Sequence, residues 1–531
     1  MLTTLVLLLA ASPPPPDTVV VCPREFIAAL KPWLVHREAQ GHVVEILPNR
    51  RSPQELRQSI REVAKGGALR NLLLIGDADP RSARDPAVAQ RSTPTFAAAA
   101  KVNVKWGSEP EIGTDNWYAD LDDDDVPELA VGRLTADSRA ELAQMIQKII
   151  SYEQSVNFGP WRRRINFVAG VGGFGAVADS VIETTTRKFL TEGIPSAFET
   201  SMTYGSWRSA YCPDPRKFHQ TALDRFNEGC LFWVYIGHGH PTGLDQIRVP
   251  GRAYHILGSD DVPKIDSGGC PPIAVFLSCY AGAFDQPNDC LGEELLRAPS
   301  GAVAVLCGSR VTMPYAMAVL GSELMDNYFG AECQTLGEAM LRTKRKMAEA
   351  APTAAAGAEN PNRLLLDALA RAISPDADSL DEERREHLLL FNLLGDPLLK
   401  LPRPERVNLE LPTHIRAGDR IPIVFHSRVS GECRLELVCR RDRLKEAPPQ
   451  REYYDGRDRI LTSYDESYRK ANDDLWTEQL VVCEGGRCEV VLDVPLEARG
   501  NCHVRAFVQG ERDYAVGSAD VFVRKPLMAA E

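Results

Sequence analysis

Along the first 150 positions, apolar residues come in short buried-strand runs separated by stretches with helical spacing. Residues 18–22, 42–46 and 71–75 are strand-length apolar runs, and 53–65 between the second and third repeats apolar positions at the helical period. This is βαβα order, the pattern of a parallel sheet covered by helices. Residues 128–134 (ELAVGRL) add another strand, followed by Leu142, Met145, Ile146 and Ile149 on one face of a long helix ending near Glu153. A second series follows at 165–169, 231–236, 273–277 and 302–306, apolar on both faces as central parallel strands must be.

Beyond FNLLGDPLLKLP (391–402) the period shortens to alternating runs at 421–425, 433–438 and 479–482, so residues from 407 onward are predicted to form a β-sandwich. Residues 441–476 are charged and Tyr-rich without clear period and are predicted as an insertion between strands; 350–357 is Ala-rich and loop-like. The expected division is 1–16 as signal peptide and proline-rich linker, 17–158 as an N-terminal α/β subdomain, 159–403 as a second one, and 404–531 as an all-β domain.

At 531 residues more than one domain is expected, and 44% hydrophobic with 25% charged residues describes a folded chain rather than a disordered one. The net charge of −12 and the absence of a Lys/Arg block argue against nucleic acid as a partner. Residues 3–11 form an apolar run before Pro13–Pro16, too short to span a bilayer; they read as a signal peptide, with the α-amino group as the only positive charge. No later run reaches the length of a membrane span, so an exported, soluble chain is expected. Export permits disulfides, and five of the 13 cysteines crowd into the last 100 residues; Cys483 and Cys488 flank EGGR as if across a hairpin, with connectivity open.

The chemistry sits at two strand ends. LFWVYIGHGH delivers His238 between Gly237 and Gly239, and the next apolar strand, PPIAVFLS, ends in Cys279. Open α/β sheets keep their sites at the carboxyl edge, so neighbouring strands bring this imidazole and thiol into one crevice. An imidazole that takes the thiol proton and returns it to a leaving amine makes the pair competent for acyl transfer. The N–H groups of Gly239 and Cys279 are the expected oxyanion donors. The competing reading is a buried structural cysteine and a loop histidine; His240 is the reserve candidate.

These residues resemble the gingipain family of cysteine peptidases, with Gly237-His238-Gly239 after one strand and Cys279-Tyr280-Ala281-Gly282 after the next. The resemblance extends to LLLIGDADP, to PELAVGRL with the helix ending SYE, and to LLGDPLLKL, covering residues 18–402. It implies a caspase-like α/β fold of tandem subdomains with parallel-strand sheets, followed by an all-β immunoglobulin-like sandwich. It also implies peptide-bond hydrolysis on protein or peptide substrates, with no cofactor needed for the chemistry, by a bacterial protein that is secreted, periplasmic or at the cell surface. One departure matters: where the family places an acid behind the histidine, this chain reads GVGGFG, which leaves a Cys-His dyad as the working site and a silent binding module as an alternative. A transpeptidase using the same thiol is the other. Asp179 roughly matches the family position that reads a basic substrate side chain, but Ser180-Val-Ile-Glu183 is also a capping box that Asp179 precedes.

DLDDDD sets Asp120, Asp122 and Asp124 at alternate positions, converging hard oxygens as a calcium loop does, without the Gly and twelfth-position Glu of an EF-hand. A solvated acidic turn fits equally; some gingipain relatives bind calcium, which leans the expectation to a structural calcium ion.

Overall fold

A computed structural model describes residues 14–50, 52–171, 193–330, 333–349, 361–374, 376–449 and 451–526. The apolar run at 3–11, Asp179 with its capping box, and the Ala-rich 350–357 lie outside the described residues.

Both α/β series share one ten-stranded sheet. Its strands are β1 (Thr18–Cys22), β2 (Val44–Pro48), β3 (Asn71–Ile75), β4 (Ala130–Leu134), β5 (Arg164–Ala169), β6 (Glu199–Tyr204), β7 (Phe232–Ile236), β8 (Ile273–Leu277), β9 (Ala304–Gly308) and β10 (Phe391–Leu394). Their order across the sheet is β2-β1-β3-β4-β10-β9-β8-β7-β5-β6. Each neighbouring pair is parallel except β9 and β10, so the sheet is two parallel halves joined back to back at one antiparallel seam. The carboxyl ends of β5, β7, β8 and β9 therefore share one edge, and those of β1, β3, β4 and β10 the other. β7, β8 and β9 are buried along their whole lengths, as the unbroken apolar runs require.

The seam strand β10 belongs to the LLGDPLLKL stretch. Asp396 just beyond it is fully buried, accepting from Trp33 Nε1 and pairing with Arg37 (2.6 Å), which also pairs with Glu153 (2.9 Å). That network joins the helix Ile27–Ala39 to the end of the helix Arg139–Gln154. Ser138 caps the latter by accepting from Glu141 N–H (3.2 Å), and Leu142, Met145, Ile146 and Ile149 form its buried face.

The carboxyl-terminal region is built on two sheets. One runs in the order Glu405–Arg406, Tyr514–Arg524, Gly500–Gln509, Gly431–Cys439, Leu475–Cys483, with His414–Arg416 also paired to Tyr514–Arg524. The other pairs Arg420–Ser427 with Gly486–Asp493, and residues of both enclose a separate apolar core. Cys483 and Cys488 bring their sulfurs to 2.9 Å between the two sheets, and Cys439 stands directly across from Cys502.

The insertion at 441–476 is more ordered than its composition suggests. It holds the helix Asp458–Asn472, whose buried Leu461, Tyr464 and Tyr468 do follow a helical period. This helix covers the edge strand β6: Asn472 exchanges hydrogen bonds with the Met202 backbone (2.8 and 3.0 Å), and Tyr468 Oη meets Thr203 Oγ1 at 2.8 Å. An open edge is thus covered by another element. Among the described residues no helix is long and apolar enough to cross a membrane.

Candidate active site

β7 and β8 pair from Phe232↔Ile273 to Ile236↔Leu277, a constant offset of 41 residues, and Gly237 N–H continues the ladder onto Leu277 O (3.3 Å). His238 and Cys279 are separated by that same offset, so they occupy equivalent places on adjacent strands, two residues past the last pair. Gly239 is packed against this junction: a Cβ there would stand 2.4 Å from Cys279 O and 2.8 Å from Ser278 Oγ, so only glycine fits. The sequence-predicted crevice therefore brings His238, Gly239 and Cys279 together at the carboxyl edge of the sheet.

The His238 carbonyl is held by two donors, Tyr235 Oη (2.8 Å) and Asp245 N–H (3.1 Å). The second bond makes His238 and Asp245 a hydrogen-bonded cross-strand pair, which places their side chains on one face of the hairpin. The next pair, Gly239 and Leu244, is then of the non-bonded kind, and Leu244 N–H turns instead to Leu257 O (2.8 Å). Gly239 N–H consequently points away from its hairpin partner. Cys279 N–H likewise meets no backbone carbonyl among the described residues. An N–H turned away from its hairpin partner, beside the N–H of Cys279, is what an oxyanion pocket needs.

Cys279 is half-buried, whereas the other twelve cysteines are buried. Its sulfur accepts from Thr312 N–H (3.3 Å) and lies 3.6 Å from Thr312 Oγ1. Met313, next in the chain, donates its N–H to His387 Nε2 (2.8 Å), and His387 Nδ1 donates to Glu383 O (2.7 Å). These bonds fix His387 as the neutral Nδ1–H tautomer, and burial pushes its pKa down to about 4. Tyr280 turns the chain sharply with φ of +57°, a conformation a non-glycine side chain adopts at a cost. The turn is pinned by Tyr280 N–H to Arg310 O (3.2 Å) and Gly282 N–H to Gly308 O (3.0 Å), while Tyr280 Oη donates to Glu109 (2.9 Å). Burial, then that bond to Glu109, pushes the phenol up to about 12.

Thr312, Glu109 and the His387 support carry no mark in the sequence, and Tyr280 stands out there only as part of the Cys279–Gly282 motif. Glu109 and His387 lie more than 100 residues from Cys279 in the chain, and no local motif marks either one. His240, the reserve histidine, is exposed.

In the acidic loop, the carboxylates of Asp120, Asp122 and Glu128 each offer an oxygen within 4.8 Å of the others. Asp124 turns away to accept from Val126 N–H (2.8 Å), and Asp120 pairs with Arg57 (3.0 Å). Burial raises the Glu128 pKa, and the charges of Asp122, Asp120 and Asp124 add to it against the opposing Leu121 N–H bond. A hard cation would relieve that repulsion, so this donor set fits calcium with water completing it.

A cysteine and a histidine at matched positions on the carboxyl edge of an open α/β sheet define the class: an α/β protein whose candidate site pairs a thiol with an imidazole. The sequence profile of peptidase family C25 matches residues 11–402, and the chain belongs to that family. It is 25% identical to gingipain R2 of Porphyromonas gingivalis over 229 residues, 41% of this chain and 28% of that protein. It is 22% identical to Lys-gingipain of the same organism over 301 residues, 55% of this chain and 15% of that one. The chain thus spans well under a third of the length of these relatives. The crystal structure of the Arg-specific cysteine proteinase gingipain R superposes with a TM-score of 0.52 at 16% identity, covering 96% of this chain and 98% of that one; the fold is shared.

Proposed function

We propose that this chain is an exported cysteine endopeptidase working through a Cys279–His238 dyad. The observation that carries the reading is the matched position of the two residues on adjacent strands, with the one incompletely buried thiol of the molecule at the end of the second. His238 takes the Cys279 proton as sulfur attacks the peptide carbonyl. The N–H groups of Gly239 and Cys279 receive the oxyanion, and His238 then protonates the departing amine. Water releases the thioester by the reverse proton path. Asp245, across the hairpin from His238, is the carboxylate we assign to steady the imidazole, in place of the acid missing from GVGGFG. Calcium at Asp120, Asp122 and Glu128 would stabilise the fold and take no part in the chemistry.

Lys-gingipain and the Arg-specific gingipain R are named for basic residues, so a basic residue before the cut is the first preference to test, with Asp179 as a candidate partner beside its helix-capping reading. The test is hydrolysis of a peptide library by the wild type, Cys279→Ala and His238→Ala. Turnover lost in both variants supports the dyad; turnover that survives Cys279→Ala sinks it. Addition of an amine nucleophile separates hydrolysis from transpeptidation by its products.

A further inference from the structure

We propose that His219, His255 and Asp261 form a binding site for a divalent transition metal, with zinc the best fit, apart from the acidic loop and from the thiol. Their ligand atoms all lie within 4.8 Å of one another. His219 sits in the helix Phe218–Asn227, His255 at the end of the strand Arg252–His255, and Asp261 in the turn Ser259–Lys264, so three separate elements converge. His219 Nε2 is 3.2 Å from Asp261 Oδ1, and His255 Nε2 is 2.7 Å from Oδ2. Ligands at about 2.05 Å in a tetrahedral zinc site stand about 3.3 Å apart, so the first pair already has that spacing and the second needs a small rotation of an exposed ring.

The second observation is the support behind the ligands. His219 Nδ1 is held by Ile256 O at 2.9 Å, which makes it the N–H donor and turns the Nε2 lone pair toward the Asp261 carboxylate. In the neutral ring two lone pairs then face one another at 3.2 Å, a contact that a proton on Nε2 or a metal ion between the two atoms relieves, and the metal titration tells the two apart. Metal-bound histidines are oriented in just this way, with the far ring nitrogen donating to a backbone carbonyl. Asp261 is 3% exposed and is fixed by Gly258 N–H (3.0 Å) on Oδ2. Lys264 Nζ also reaches Oδ1 (2.8 Å), but its side chain is 59% exposed and can move into water when a metal arrives. Two imidazoles with one carboxylate suit zinc better than calcium, which prefers an all-oxygen shell, and the half-exposed His255 leaves a fourth position to water.

Such an ion would clamp the segment 255–261, whose Leu257 carbonyl receives Leu244 N–H, and Leu244 is the hairpin neighbour of Gly239. The metal would therefore stiffen the support of the active-site edge without touching substrate. The experiment titrates Co2+ and Zn2+ into the full metal-stripped chain and follows the visible bands of tetrahedral Co2+ alongside the bound stoichiometry. The expected result is one equivalent bound with nitrogen and oxygen ligation, lost in both His255→Ala and His219→Gln, whose near-UV circular dichroism stays that of the wild type. His255 is exposed enough that its loss leaves the fold intact. No binding by the wild type, binding unchanged in His255→Ala, or bands dominated by sulfur-to-cobalt charge transfer would overturn the proposal.

Discussion

Gly239→Ala probes the active-site edge with one methyl group. The added Cβ would meet Cys279 O at 2.4 Å, Ser278 Oγ at 2.8 Å and Ser278 Cβ at 3.1 Å. Neither neighbour can withdraw freely: Ser278 is fully buried, and Cys279 O already accepts from Ala281 N–H at 2.8 Å. Reaching even a 3.0 Å contact requires the two strand ends to separate by about 0.6 Å, and misplacements approaching 1 Å can cost ~100-fold in rate. Overpacking of this size costs about 1–3 kcal/mol in stability. The assay is kcat/KM on the best library peptide together with the thermal midpoint, with Gly456→Ala as control because its nearest Cβ contact is an ordinary 3.6 Å. The expected outcome is a fall of about 30- to 100-fold with a folded protein, and no change in the control. Gly239→Ala activity within about threefold of wild type would show that this edge does not set the catalytic geometry.

His387 gives a pH dependence with a definite sign. Its folded pKa lies near 4, below its ordinary 6.5, so the unfolded chain binds the extra proton first. Stability from this residue is complete above about pH 6.5 and falls as pH drops toward 4, by on the order of 3 kcal/mol, and denaturation of wild type against His387→Gln should show that slope only in the former. Arg37→Met removes the one guanidinium shared by the buried Asp396 and Glu153, leaving Asp396 only the Trp33 Nε1 and Leu398 N–H donors and Glu153 its contacts to His36, Gln40 and Lys400 N–H, and should cost about 3 kcal/mol in urea unfolding; a cost under about 1 kcal/mol would mean the network is not stabilising. Calcium at about 100 times its dissociation constant should add about 2.7 kcal/mol to the wild type and nothing to Asp122→Asn; equal gains in both would place the ion elsewhere.

What the sequence discloses follows from how local each signal is. The strands β1, β3, β7 and β8 are unbroken apolar runs, so their existence and nearly their bounds can be read directly. The side-by-side placement of residues 238 and 279 is legible for the same reason, since each ends a buried strand and one strand follows the other. The single sheet is not legible, because it depends on β10, a four-residue run whose partners Ala304–Gly308 and Arg133 are remote in the chain. β6 reads ETSMTY, a polar edge strand whose burial comes from the helix Asp458–Asn472 laid over it. That helix hides in sequence because Leu461, Tyr464 and Tyr468 are the few apolar marks among charges. In the acidic loop, left-handed residues Asp123 and Asp125 turn the chain so that Glu128 joins Asp120 and Asp122 while Asp124 faces away, which alternation of acids alone does not reveal.

The most direct test of the proposed chemistry is covalent capture of the thiol. A peptidyl ketone carrying a leaving group, with arginine or lysine before the reactive carbon, would be incubated with the wild type and with His238→Ala, and the adduct located by peptide mass mapping. The expected result is one adduct, on Cys279, formed rapidly in the wild type and at least about 100-fold more slowly without the imidazole. Labelling of Cys279 at equal rates in both proteins, or labelling that spares Cys279, would contradict a Cys-His peptidase.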